Sequence, residues 1–257
     1  MFESILLGIL QGLTEFLPVS SSGHLVLAQQ LLTGFDGPAA AFDVLLHGGT
    51  LAAVFLYFRQ DLLQIARDST RPSEGGLRLP FLLVAGSIPA GIVGVFMSDM
   101  ITPLFSSPRV AASGLVITGL ILLAAWKLAG AGRLSLANLT VPGVLLIGLA
   151  QAFAIVPGIS RSGATIVAGM FLGLEGREAA RFSFLLSIPA VAGALLLESG
   201  VLFEGGLPLA YLAGAVFAAL VGWASIAFLM KLLGRGNLAP FGVYCLALGV
   251  LSLVFLI

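Results

Sequence analysis

Apolar residues fill this chain in long blocks that short polar turns interrupt. The blocks at 40–58, 79–98, 110–127, 182–198, 210–230 and 239–257 approach the roughly 20 residues a helix needs to cross about 30 Å of hydrocarbon. Their runs are continuous, unlike the alternating ten-residue segments of a β-barrel, and they predict six transmembrane helices. Four shorter blocks, 2–17, 25–33, 141–156 and 163–174, fall short of a span. They form two pairs, one broken at Pro18-Val19-Ser20-Ser21-Ser22-Gly23-His24 and the other at Pro157-Gly158-Ile159-Ser160-Arg161-Ser162. Half-length helices around such breaks predict re-entrant hairpins, because irregular backbone at membrane depth survives where protein or a wet cavity covers it. The stretches 59–78, 128–140, 175–181 and 199–209 read as connections, with a turn at 34–38. The fold expected is an all-α polytopic membrane protein, one integral membrane domain over 1–257.

Composition sharpens this picture. Hydrophobic residues make up 59% of the chain and charged residues only 9%, against roughly 25% charged in a soluble domain; mean hydropathy is +1.11. The 33 glycines and 12 prolines suit close helix packing and broken helices. Formal net charge is zero, and no basic stripe points to nucleic acid. Cys245 is the single cysteine, which excludes an internal disulfide or a cysteine zinc cluster. The first residues hold no Lys or Arg and no small-residue cleavage site, so no signal peptide is predicted. Six spans and two hairpins put Arg59, Arg67, Arg71, Arg78, Lys127, Arg133, Arg177, Arg181, Lys231 and Arg235 on one side, with Arg109 opposite. The basic side is cytoplasmic by the positive-inside rule, which leaves both termini extracytoplasmic.

The two halves align without a gap at an offset of 140 residues. Gly8 meets Gly148, Gln11 meets Gln151, Ser20 meets Ser160, Ser22 meets Ser162 and Gly23 meets Gly163; further on, Phe42 meets Phe182. Each half, approximately 1–128 and 141–257, holds one hairpin and three spans. Three is odd, so the halves have opposite orientation and make an inverted-topology repeat. The two broken tips are then expected to face each other and form one site.

The polar groups at those tips carry the chemistry. A guanidinium within a membrane is costly and usually faces a cavity and a partner. Arg161, with Ser160, Ser162, Thr165 and the glycines Gly158 and Gly163, points to a phosphate: a planar fork of donors, hydroxyls, and backbone N–H groups that glycine lets approach. The first tip adds Ser20, Ser21, Ser22 and His24, with Gln11 and Glu15 on one helix face at i,i+4 spacing. Together these are the parts of a phosphoryl-transfer site. Arg161 would stabilise transition-state charge; a serine or a water would attack, with His24 moving a proton. Glu15 can hold a hard divalent cation, Mg²⁺ or Ca²⁺, with Gln11 as a neutral oxygen ligand. His47 reads as structural or cavity-lining, and Trp126, Trp223 and the tyrosines as interface or packing residues.

At these residues the chain resembles the undecaprenyl-diphosphate phosphatases, the BacA-type bacitracin-resistance family. The resemblance runs the whole length and is carried by Gln11-Gly12-Leu13-Thr14-Glu15-Phe16-Leu17-Pro18-Val19-Ser20-Ser21-Ser22-Gly23-His24 and by Pro157-Gly158-Ile159-Ser160-Arg161-Ser162-Gly163-Ala164-Thr165. It implies an integral hydrolase of the bacterial cell membrane. Such an enzyme removes the terminal phosphate of undecaprenyl diphosphate and returns the monophosphate carrier to peptidoglycan synthesis. The family's acidic motif falls on Gln11 and Glu15, its serine–histidine motif on Ser20, Ser21 and His24, and its arginine motif on Ser160, Arg161, Ser162 and Thr165. Many members carry Glu where this chain has Gln11, which leaves one carboxylate in the motif. The expected partners are the polyprenyl diphosphate, membrane lipid and a second copy in a homodimer.

An inverted repeat with tips meeting at the midplane also fits a carrier or flippase of polyprenyl phosphates. A nucleophile, histidine and arginine together are what simple transport does not need. A purely structural role leaves Arg161 unexplained.

Overall fold

The computed structural model describes residues 1–31, 39–128, 132–198, 208–235 and 237–255. Among them the regular elements are all helical, apart from an isolated parallel bridge between Leu134 and Leu174. The first hairpin is α1 (Phe2–Phe16) and α2 (Ser21–Leu31). Leu17, the residue before Pro18, is extended at φ −64° and ψ 144°, as the proline ring requires, and this ends α1. Next come α3 (Ala39–Tyr57), α4 (Arg59–Ser69), α5 (Arg78–Phe96), the short α6 (Ser98–Ile101) and α7 (Pro108–Ala124). The second hairpin is α8 (Val141–Phe153) and α9 (Arg161–Phe171), followed by α10 (Gly176–Glu198), α11 (Leu209–Leu232) and α12 (Ala239–Phe255). Thr140 caps α8 from its side chain and Ser160 caps α9, each satisfying an N–H that a helix start leaves open.

A helix lies at each of the six expected spans. Three are long and apolar enough to cross a membrane: Arg78–Phe96, Gly176–Leu197 and Leu209–Leu232, or up to five spans if two bent pairs are each one span. Those pairs are α3 with α4, bent by 71°, and the segment Ser98–Ser106 with α7, bent by 97°. The lipid-facing pattern is plain on α5. Phe81, Val84, Ile88, Ile92 and Val95 are exposed, while Leu82, Leu83, Ala85 and Gly86 are buried. An exposed helix face made of such residues is stable in hydrocarbon.

Four boundaries differ from expectation. The connection at 59–78 contains α4, an amphipathic helix whose Leu62 and Ile65 pack on the core while Leu63 stays exposed. The connection at 175–181 is mostly the start of α10. Both second arms begin earlier than the apolar pattern suggested, α2 at Ser21 and α9 at Arg161. The expected turn at 34–38 and most of the connection at 199–209 lie outside the described residues.

Small residues set the packing. An added Cβ on Gly8 would lie 2.2 Å from the Gly214 carbonyl oxygen, and one on Gly12 2.8 Å from that of Ala218. α1 therefore lies directly on α11, in the close contact that glycine at four-residue spacing permits. α8 lies likewise on α5, with Gly148 against Gly86. Each hairpin's first arm thus packs on a helix of the other half.

Charged side chains tie several of the connections together. Arg181 donates to Asp61 across 2.6 Å and pairs with Glu178, which accepts from the Leu136 N–H. Arg78 donates to the Leu136 and Leu139 carbonyls, and Arg177 to that of Met230. These contacts join α4, the loop before α8, the start of α10 and the end of α11.

Candidate active site

The two broken tips meet. The Gly158 N–H donates to Ser22 Oγ across 3.4 Å, and Ser162 Oγ donates to the Leu17 carbonyl across 3.2 Å. The second tip docks on α7, where Ala111 and Gly114 leave room for it. Gly158 has φ +88°, and a Cβ there would lie 2.0 Å from the Ala111 carbonyl oxygen, so conformation and space both demand glycine. Thr118 clasps this tip: its Oγ1 donates to the Gly158 carbonyl at 2.8 Å and accepts from the Ser160 N–H at 2.9 Å.

The tips repeat one hydrogen-bond design. Ser20 Oγ accepts from the Gly23 N–H and pairs with Ser22 Oγ; Ser160 Oγ accepts from the Gly163 N–H and pairs with Ser162 Oγ. These four serines of the expected phosphate site thus cap helices and tie the tips together. Thr165 donates to the Arg161 carbonyl and pairs with Ser183 Oγ at 2.6 Å. Ser20 departs from its counterpart in backbone, with φ +69°, the one positive value at a non-glycine among the described residues. Such a conformation costs about 1–3 kcal/mol and persists only where surrounding contacts over-determine it.

Glu15 is the hub. Its Oε1 accepts from Arg161 Nη2 at 2.7 Å. Its Oε2 accepts from Ser21 Oγ at 2.5 Å and from Gln11 Nε2 at 3.2 Å. The pair is largely buried, with side-chain exposure of 8% for Glu15 and 17% for Arg161. Opposite charges at that distance offset much of the desolvation of each. Two polar atoms here are buried without a partner: Arg161 Nη1 and Gln11 Oε1. A guanidinium with one arm on a carboxylate and another unpaired is an open donor, and an anionic oxygen is what satisfies it.

The two histidines make different contacts. His24 Nδ1 lies 2.7 Å from the Ser20 carbonyl, and its Nε2 lies 2.7 Å from Tyr244 Oη. Both ring nitrogens are therefore occupied, and the side chain in contact with the Ser21 hydroxyl is Glu15. His47 on α3 is half-buried and bonds the Asp43 carbonyl through Nδ1. Sequence reasoning missed Thr118, Ser183 and Tyr244. Each is a lone polar residue in an apolar run, and no spacing links it to a partner on another helix.

Fold and site together define an integral membrane protein that holds a carboxylate, a hydroxyl and an anion-seeking guanidinium between two broken-helix tips. The family described as Bacitracin resistance protein BacA matches residues 4–251, and this chain belongs to it. A relative from Syntrophotalea carbinolica is 47% identical over 255 residues, covering 96% of this chain and 95% of its own. One from Geotalea daltonii is 42% identical over 267 residues, covering 100% and 98%. Another, from Thermomicrobium roseum, is 43% identical over 271 residues, covering 99% and 97%. All three carry the name undecaprenyl-diphosphatase.

Proposed function

We propose that this chain hydrolyses undecaprenyl diphosphate to undecaprenyl phosphate and inorganic phosphate, returning the lipid carrier to peptidoglycan synthesis. The observation that carries the reading is one carboxylate shared by two groups: Glu15 accepts from Ser21 through one oxygen and from Arg161 through the other. Ser21 Oγ attacks the terminal phosphorus and its proton passes to Glu15. The bond from that phosphorus to the bridging oxygen breaks, and its electron pair leaves with the prenyl phosphate. Water then attacks the phosphoserine, giving a proton to the phosphate it releases, while the Glu15 proton returns to Ser21 Oγ. Arg161, through the unpaired Nη1, takes the equatorial oxygens where charge gathers. A carrier that only moves lipid needs no such hydroxyl on a carboxylate.

Gln11 and Glu15 would hold a divalent cation, Mg²⁺ or Ca²⁺, only together with the oxygens of the bound diphosphate, since no three acidic, histidine or cysteine side chains come together among the described residues. Gln11 Oε1 is a buried oxygen without a partner, and the Glu15 carboxylate lies one helical turn away. When bound there, the cation would supply charge neutralisation to the diphosphate.

The proposed topology is six spans with two re-entrant hairpins, in inverted repeats over 1–128 and 141–257. The ion pairs joining Asp61, Glu178 and Arg181 support the grouping of basic connections at one end. That end is cytoplasmic on the charge rule, both termini are outside, and the headgroup is hydrolysed on the external side. Impermeant thiol reagent should label Ser21→Cys from outside once Cys245 is replaced; labelling only from the cytoplasm contradicts this sidedness. The activity is tested by phosphate release from a prenyl diphosphate in detergent. Wild type should release phosphate and Arg161→Ala should not.

A further inference from the structure

His24 begins a chain of contacts that leads back to Ser21. A carbonyl oxygen can only accept, so the 2.7 Å contact with the Ser20 carbonyl makes His24 Nδ1 the protonated nitrogen. In the neutral ring the lone pair is then on Nε2, and the Tyr244 hydroxyl 2.7 Å away donates into it. The two ring planes are nearly parallel, at 11°, with their centroids 5.6 Å apart. The Ser20 carbonyl that receives the other end also accepts the His24 backbone N–H. Ser20 is the residue held at φ +69°, and the next residue is Ser21, whose hydroxyl rests on Glu15.

We infer that Tyr244 is a positioning residue for the attacking serine. From the last helix, its hydroxyl fixes the tautomer and plane of His24, and His24 holds the Ser20 carbonyl in the turn that delivers Ser21 to Glu15. Proton transfer to and from Ser21 belongs to Glu15, and His24 serves as the link between Tyr244 and the turn. Tyr244 is 47% exposed, so removing its oxygen opens no cavity in the core. What changes is the single bond to Nε2.

The kinetic consequence rests on the phosphatase reading; the spectroscopic one does not. Tyr244→Phe should lower kcat at least tenfold with KM for a prenyl diphosphate within twofold, because the loss lies in the placement of Ser21 and not in substrate binding. In a His24→Ala background, Tyr244→Phe should change nothing further, since the tyrosine acts through that ring. Unchanged kcat in Tyr244→Phe, or losses that multiply in the double variant, overturns the inference. The chain has two histidines, so ¹⁵N-histidine spectra of detergent-solubilised protein resolve His24 once His47→Gln identifies the other. Wild type should show His24 neutral with the proton on Nδ1, and Tyr244→Phe should shift Nε2. A proton on Nε2 in wild type, or no shift in the variant, overturns it even where no activity is measured or the kinetics of the variant are lost to instability.

Discussion

Ser21 Oγ lies 2.5 Å from Glu15 Oε2, and the two residues come from different arms of one hairpin. Nothing in the spacing of the first motif fixes this contact, because Pro18 and the turn at Ser20 decide how the second arm returns. Ser21→Ala should abolish turnover while leaving binding of a prenyl diphosphate intact. Near-normal turnover would mean that water attacks directly and Ser21 only positions it.

The guanidinium of Arg161 is held by Glu15 through Nη2, which leaves Nη1 for the substrate. Arg161→Lys keeps the charge and loses the fork. It should raise the barrier by roughly 2–4 kcal/mol, comparable to removing one oxyanion donor. KM should change little, because the apolar tail binds equally in ground and transition states. Steady-state kinetics giving unchanged kcat and a greatly raised KM would reverse the role given to Arg161.

Gln11 brings a neutral oxygen where a second carboxylate would strengthen a cation site. Gln11→Glu should lower the Mg²⁺ or Ca²⁺ concentration needed for half-maximal activity, and Glu15→Gln should abolish activity and cation dependence together. A cation titration of each variant checks both, and a Glu15→Gln enzyme that loses activity but keeps its cation response would separate Glu15 from the metal.

Contact of the two tips is testable without substrate. A Cβ built on Gly163 lies 3.4 Å from that of Pro18, close to the 3.5–4.5 Å usual for a disulfide. Pro18→Cys with Gly163→Cys should therefore crosslink on oxidation. Cys245 must first become alanine, since its sulfur sits 3.9 Å from the Pro18 carbonyl. Folded protein in which this pair and its neighbours stay reduced would separate the tips.

Gly158 is irreplaceable on two counts, its φ of +88° and the absence of space beside Ala111. Gly158→Ala should cost about 1–3 kcal/mol or more through overpacking and backbone strain, read as an earlier thermal transition in detergent. Gly48, where an added Cβ meets nothing within 4 Å, is the control, and Gly48→Ala should shift that transition little.

The broken tips were legible because proline and glycine punctuate the backbone locally, and their meeting because polar residues recur at one offset. The starts of α2 and α9 were not, since Ser21 and Arg161 are polar and occupy first turns that hydrophobic periodicity leaves blank. α4 was hidden for a related reason: its apolar face is only Leu62 and Ile65, and its charges read as a loop. Tyr244 and Thr118 escaped because a partner on a distant helix leaves no trace in spacing. The contacts of His24 escape for the same reason: neither the Ser20 carbonyl nor Tyr244 is marked as its partner by its place in the motif.

The seating of α1 on α11 has a consequence for biosynthesis. Gly8 and Gly12 leave the ribosome about 200 residues ahead of their partners Gly214, Ala218 and Gly222. At about 5–20 residues per second, the first hairpin waits on the order of ten seconds or longer for its surface to exist. For most of that interval, until Arg161 is made, Glu15 also lacks its ionic partner. A chain truncated before Arg161 therefore leaves the Glu15 carboxylate without its ionic partner, and its first hairpin should be less protected from proteolysis than in a chain that includes Arg161.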